Sequence, residues 1–457
     1  MIDKERVVAV QIKGLVLLMA CVLAGGSHAG ALSGMATAVS ATPAELSSEE
    51  EQDRLLIGRS FFTVPWVAAP SATTARDGLG PLFNSNTCAS CHQAKVAGHL
   101  LNDKHEQSRA LVVKLSQPQK HALRDKTTIT VPDPVYGSQI AINGVSGVLY
   151  EATPGLDMQV KTVVFPDGTE VGLSWPVPYL KRLNYGPLSP DTRLSLRLAP
   201  MLNGTGLIEQ IPEQAILAGA DPNDRNRDGI SGKANWVYDP LLQAFKLGRF
   251  GHKASQASVM MQTADAAAHD MGLTNPYFPE ELCGSTQTAC LQAPAGRPSA
   301  RGETLDLPMH RLEAISFYVN HLNGSPKRRS DVLPQALAAG KALFQAVGCV
   351  QCHRPSFKTQ KGQTIYPYSD FLLHDLGPAL ADARPEFDAQ PNEWRTAPLW
   401  GSAEKVRQGW RFLHDGRAAN HLEAILWHDA EAAASRQAFM QLNATEREQL
   451  IQFLESL

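Results

Sequence analysis

Apolar residues recur at helical spacing in five stretches of the chain. "DRLLIGRSFF" (Asp53 to Phe62) is an amphipathic approach helix, and "LDLPMHRLEAISFYVNHLNGSP" (305–326) is a longer helix closed by a Gly-Ser-Pro stop. "PQALAAGKALFQAVG" (334–348) puts Leu337, Lys341 and Phe344 on successive turns, and "LEAILWHDAEA" (422–432) does the same with Leu422, Ile425 and His428. The last segment, "ATEREQLIQFLESL", places Thr445 and Glu448 in capping-box positions, with Leu450, Ile451, Leu454 and Leu457 on one face. Between about 108 and 200 the period shortens. "ALVVKLS", "TITVP", "GVLYEAT", "MQVKTVVF" and "VGLSWP" are short, rich in β-branched residues and separated by Pro-Asp, Asn-Gly and Asp-Gly turns, which predicts a β-rich insertion.

At 457 residues and 43% apolar content the chain is long enough for two or three ordinary globular cores. A net charge of −3 gives no basic footprint for nucleic acid. At the N-terminus Lys4, Arg6 and Lys13 precede an apolar run from Gly14 to Ala24, and Ser27-His28-Ala29 offers a small-x-Ala cleavage site. Residues 1–29 therefore predict an export signal, followed by an Ala-, Ser- and Glu-rich linker over 30–50, and a periplasmic protein without a membrane span in its mature form. Leu18-Met19-Ala20-Cys21 leaves open a lipoprotein site at which an acylated Cys21 tethers the chain.

Seven cysteines are present, and four of them fall in two copies of Cys-x-x-Cys-His: Cys88, Cys91 and His92, then Cys349, Cys352 and His353. With seven Cys and 14 His in this length, chance supplies roughly 0.003 such pentapeptides. Two thiols at this spacing form thioethers to a porphyrin edge while the adjacent imidazole ligates iron, so each motif predicts a covalent haem c with His92 or His353 as proximal ligand. Structural zinc is the alternative, and it needs four closed ligands where each cluster shows no second cysteine pair. On this reading the fold is mainly α. Two cytochrome c-like haem domains are expected, at 51–325 with the β-rich insertion and at 333–457.

Of the other cysteines, Cys283 and Cys290 suit a local disulfide in an oxidising compartment, with a redox-active dithiol as the alternative. "DRNRDGISG" puts Asp224, Asn226 and Asp228 at positions one, three and five of a calcium-like loop; the twelfth position is Asn235, and a metal-free Asx-rich turn is the other reading. His428 faces the buried side of its helix, either as a hydrogen-bonded core histidine or as an axial ligand.

"GRFGHKA" (Gly248 to Ala254), "DRNRDGISG", "PYSDFLLHDLGPALAD" (Pro367 to Asp382), "EWRTAPLWG" (Glu393 to Gly401), "RFLHDGRA" (Arg411 to Ala418) and "LEAILWH", together with both pentapeptides, resemble the di-haem oxidoreductase family. That family is similar in turn to the di-haem cytochrome c peroxidases. The resemblance implies that His428 is the second axial ligand of the C-terminal haem. It also implies that the carbonyl of the Gly377-Pro378 pair orients His353. In "MMQTADAAAHDMGLT" it implies Gln262 as the residue that orients peroxide and Asp270 as the general acid/base, moving a proton between the peroxide oxygens so that water leaves. Asp270 as a helix cap and Gln262 as polar filler stand as the bland alternatives. The chain departs from the pattern at His252, where relatives carry Trp, and only His99 and His105 lie near the first haem motif as distal candidates.

The function implied is electron transfer from a small donor cytochrome or similar redox protein, through the C-terminal haem, to a small oxidant at the N-terminal one. A carrier with both irons six-coordinate, and oxidative modification of a partner protein, are the competing readings.

Overall fold

The structure, a computed structural model, describes residues 48–92, 98–101, 107–118, 127–296, 302, 304–322 and 334–457. The export signal, Cys21, most of the 30–50 linker, His105 and the 324–333 boundary lie outside them. The described residues belong to one packed unit. No helix among them is long and apolar enough to cross a membrane.

The chain is not mainly α. Helix makes up 30% and strand 21% of the described residues. Strands form beyond the predicted insertion as well, with Trp236–Asp239 pairing Ala244–Leu247 and Leu373–Asp375 pairing Glu393–Arg395. Runs of three or four residues are too short for a two-residue period to stand out from loop sequence, which is why the helical signal dominated the reading. Every sheet among the described residues has two strands.

Inside the insertion, Leu111–Ser116 pairs Arg193–Leu198, and Thr153–Val164 pairs Glu170–Lys181 along its whole length. The predicted Asp-Gly turn closes this long hairpin. Phe165 N donates to Thr169 O at 2.9 Å, Asp167 Oδ1 accepts from Thr169 N at 3.0 Å, and Gly168 takes a left-handed φ of 85°. A side chain at that position would be strained. The predicted strands at 128–132 and 147–153 do not form; Val131 makes a single bridge to Gln117.

Two helix crossings repeat one local design. The Glu49–Thr63 helix meets Met309–Asn320 at Gly58, and the Pro334–Ala346 helix meets Ala444–Glu455 at Gly340. A Cβ would lie 2.0 Å from Ala314 O at the first crossing and 2.2 Å from Gln449 O at the second, so only glycine lets the backbones touch. Four residues on, Phe62 packs on Tyr318 at 5.3 Å and Phe344 on Phe453 at 5.5 Å. The same two rings lie 6.5 Å from His92 and 6.4 Å from His353. Gly340, with Phe344 and Val347, therefore marks the buried face of its helix, while Lys341 is exposed. The capping box of the last helix is formed by Asn443 and Glu446, two residues earlier than the Thr445–Glu448 pair suggested.

Because the interhelical gap at Gly340 is filled by backbone, Gly340→Ala is expected to destabilise the protein by about 1–3 kcal/mol despite alanine's better helix propensity. Thermal unfolding of the purified variant checks this, and an unchanged midpoint contradicts the crossing.

Candidate functional site

One continuous cavity of about 1160 Å³ is bordered by both Cys-x-x-Cys-His motifs, and its lining is mainly apolar. Cys88, Cys91, His92, Cys349, Cys352, His353, His428, Gln262 and Asp270 all border it. Asp224, Asn226 and Asp228 do not. Their side chains bond within their own exposed loop, Asn226 Nδ2 to Asp228 Oδ2 at 3.0 Å and Gly229 N to Asp224 Oδ2 at 3.2 Å. Among the described residues no group of three His, Cys, Asp or Glu side chains is placed to hold a metal ion.

Local structure presents each thiol pair. Thr87 Oγ1 accepts from Ser90 N at 3.0 Å and starts the one-turn helix Ala89–His92, while Gly348, in the left-handed region at φ 89°, turns the chain into Cys349. Burial pushes the Cys88 thiol up to about 12, with the Asp270 charge adding to it, and burial does the same to Cys349. All three candidate ligands direct their Nδ1–H at a backbone carbonyl: His92 at Pro200 (3.0 Å), His353 at Tyr368 (2.9 Å) and His428 at Ala424 (2.7 Å). A carbonyl can only accept, so in each ring Nε2 keeps the lone pair that a metal needs. Burial lowers all three below the ordinary histidine value, His353 to about 4, and keeps them neutral. The carbonyl on His353 is that of Tyr368, not one from the Gly377-Pro378 pair.

His353 and His428 face each other across the cavity with ring centroids 6.5 Å apart. Two metal–nitrogen bonds of about 2.0–2.1 Å on either side of one ion put imidazole centroids about 6 Å apart, so the spacing fits a shared metal. His428 sits where its helix ends, its ψ of 136° turning the chain away after Trp427. Opposite His92 no second imidazole is held in this way among the described residues; the ring beside it is Phe62. His252 is spent elsewhere, with Nε2 on Leu198 O at 3.0 Å, and burial brings it down to about 4.

Asp270 closes the Val259–Met271 helix next to the first motif, where its charge acts on Cys88, Cys91 and His92. It does not cap that helix. Ser258 accepts from Met261 N at the N-terminus, and Gly272 ends the helix at φ 65°. Its own carbonyl accepts from Asn84 N and Ser85 N at 2.8 and 3.0 Å, which fastens it to the segment entering Cys88. Gln139, from the β-rich insertion, donates Nε2 to Asp270 Oδ1 at 2.7 Å and to His269 O at 2.9 Å. No motif pointed to Gln139, because its partner lies 131 residues away in sequence. Gln262 borders the same wall, and a Cβ on Gly251 would lie 3.4 Å from its Oε1.

The family model described as "Di-haem oxidoreductase, putative peroxidase" matches residues 20–457. The chain belongs to the di-haem oxidoreductase family. No curated protein matches it. A solved structure of Kuenenia stuttgartiensis hydrazine synthase, pressurised with 20 bar xenon, is similar at 21% identity over 38% of this chain and 63% of that one, short of two thirds of its length. Its TM-score of 0.25 is too low to bear on fold or function.

A buried charge cluster flanks the second motif. His374 lies 3.7 Å from Cys352 Sγ and places Nε2 on Asp370 Oδ2 at 2.8 Å and Nδ1 on Glu431 Oε2 at 2.7 Å. Ser231, from the "DRNRDGISG" motif, donates N–H to the same Glu431 at 3.1 Å, so that loop braces the cluster. Burial alone would lower His374, but Asp370, Cys352 and Glu431 outweigh it and push it up to about 12. The predicted Cys283–Cys290 disulfide is present, with Cα atoms 5.8 Å apart.

The folded His374 holds a proton that the unfolded chain releases near pH 6.5. Its stabilising contribution is complete below that pH and shrinks as pH rises toward 12. The thermal midpoint should therefore fall more steeply between pH 6.5 and 9 in the parent protein than in His374→Gln, as differential scanning calorimetry would record; parallel slopes count against the assignment.

Proposed function

We propose that the protein is an exported, periplasmic c-type di-haem enzyme that takes electrons from a small redox partner and reduces a small oxidant of the hydrogen peroxide class. The observation that carries the reading is an asymmetry within one cavity: His353 is opposed by His428 at 6.5 Å, whereas His92 has no such imidazole opposite it among the described residues.

Thioethers at Cys88, Cys91, Cys349 and Cys352 would hold the two haems, with His92 on the first iron and His353 and His428 on the second. When bound, haem supplies one-electron storage and, at an open iron position, a seat for a small oxidant. The chain's own work is then to position and protonate. Asp270, held at Oδ1 by Gln139, keeps one carboxylate oxygen fixed and the other available to move a proton. Gln262 orients the oxidant from the same helix, one face of which it shares with the cavity. Phe62, Ile315 and Val319 keep the surrounding wall apolar and limit water near the reacting groups.

Asp270→Asn should lower steady-state peroxide turnover by about 10²–10⁴-fold with the haem content intact, in the range expected when a general acid/base is lost. Unchanged turnover removes that role. His428→Ala should convert one of two haem signals from low spin to high spin in the absorption spectrum of the oxidised protein, leaving the other alone. A parent spectrum that is low spin throughout would instead favour a pure electron carrier.

A further inference from the structure

Charge set against an apolar wall is normally paired, and two part-buried cations on this cavity wall make no ion pair among the described residues. Lys405, on the Ser402–Gln408 helix, and Arg395, at the end of the Glu393–Arg395 strand, both border the cavity. Arg395 donates Nε to Gly251 O at 2.8 Å and Nη1 to Thr396 O at 3.1 Å, both uncharged acceptors. The Lys405 ammonium makes no ion pair or hydrogen bond among the described residues; the Phe412 ring, 5.7 Å away, is its neighbour. Acidic groups nearby are committed. Asp370 is held by His374 at 2.8 Å and by Leu372 N at 3.0 Å, while Glu404, on the Lys405 helix, pairs with Arg407 and accepts from Gln408 at 2.8 Å.

The two cations also feel each other. Burial, and then Arg395, bring Lys405 down to about 8, and burial brings Arg395 down to about 10. Beside them His421 is 4% exposed, and its Nδ1 has no hydrogen-bond partner among the described residues. Its Nε2 meets Ser402 Oγ at 3.2 Å, one helical turn before Lys405.

We infer that Arg395 and Lys405 form a carboxylate-binding site within the cavity, filled by a propionate of the bound haem. The site rests on the haem reading above and names the residues that neutralise that group's acid side chains. A carboxylate has two oxygens to accept from the guanidinium and the ammonium, and charge-assisted bonds of this kind are the strong ones in a desolvated setting. The same chemistry could come from a free small carboxylate, and the experiment separates the two sources.

The holoprotein is titrated potentiometrically as parent, Lys405→Met and Lys405→Arg, with and without added acetate. If a propionate fills the site, Lys405→Met makes one haem harder to reduce, by about tenfold in the reduced-to-oxidised ratio at a fixed potential, because a cation that stabilises the more negative reduced state is gone. Lys405→Arg restores it, and acetate has no effect on any of the three. A saturable acetate response in the parent that Lys405→Met abolishes supports the same site with a free carboxylate as its occupant. A Lys405→Met potential equal to the parent's, with no acetate response, overturns the inference. Failure of the haem reading shows separately, as mature protein whose mass lacks two tetrapyrrole additions; the acetate titration, followed then by protein fluorescence, still decides the carboxylate site.

Discussion

A knot of buried charge underlies both halves of the cavity. Arg197 bridges Asp382 at 2.6 Å and Glu386 at 3.0 Å, Arg384 reaches Glu386 at 3.0 Å, and Lys253, fully buried, lies 3.5 Å from Asp382. Removing such groups from water costs several kcal/mol each, and the cost is offset only where charges are paired and hydrogen-bonded. Here three cations share two carboxylates. Burial raises Asp382 and Glu386, but Arg197 and the other cations more than reverse that and hold both below the usual carboxylate range. Lys253 gives its three hydrogens to the carbonyls of Gln390, Pro391 and Glu393 at 2.8–3.0 Å.

The functional walls are short extensions of those charges. One residue past Arg197, Leu198 takes His252 on its carbonyl and meets the His414 carbonyl with its amide; two further on, Pro200 orients His92. Gly251, two residues before Lys253, takes Arg395 on its carbonyl and leaves room for Gln262. Two residues before Asp382, Leu380 holds the indole of Trp394, whose ring stacks on His414 at 3.6 Å and receives the Lys253 ammonium at 3.8 Å. A single set of ion pairs therefore fixes His92 in one half and the strand that ends at Arg395. The two halves share a scaffold and differ in what closes over it: an imidazole on the His353 side, and Asp270 with Gln262 on the other.

What the sequence disclosed follows from the range of each interaction. Both pentapeptides, the Cys283–Cys290 pair and the Asp167-Gly168 turn are local, and their geometry is carried by adjacent residues. His428 was legible only through its helical phase and the family pattern, because the ring it faces is 75 positions earlier in the chain. Gln139 on Asp270, Ser231 on Glu431 and Lys405 beside Arg395 left no trace, since nothing in a pattern of spacings says which distant side chains will converge. Errors of detail have the same origin. Lys341 fitted the helical period, but the touching backbones of the crossing select Gly340 for the buried face, and the His353 carbonyl is chosen by the path of the chain around Tyr368.

The β-rich insertion, which reads in the sequence as an appendage of the first half, serves both: Asn143 and Gly144 pair with Phe83 and Leu82 of the first, while the long hairpin packs on the second. Phe165 and Leu173 of the long hairpin are buried in the core that holds Phe344 and Phe453. Trp175 meets Trp427 edge to face at 5.7 Å, and Lys161 lies 4.1 Å over the same indole, which Arg417 approaches at 4.7 Å. Contacts of these kinds contribute about 0.5–1.5 kcal/mol each. That is modest for the whole fold and large for one side chain. Trp427 directly precedes His428, where the helix ends and the backbone is held by one last bond, His428 N to Ile425 O at 3.1 Å. A hairpin that holds the indole in place consequently holds the imidazole after it, and the insertion that supplies Gln139 to the first half also steadies the ligand candidate of the second.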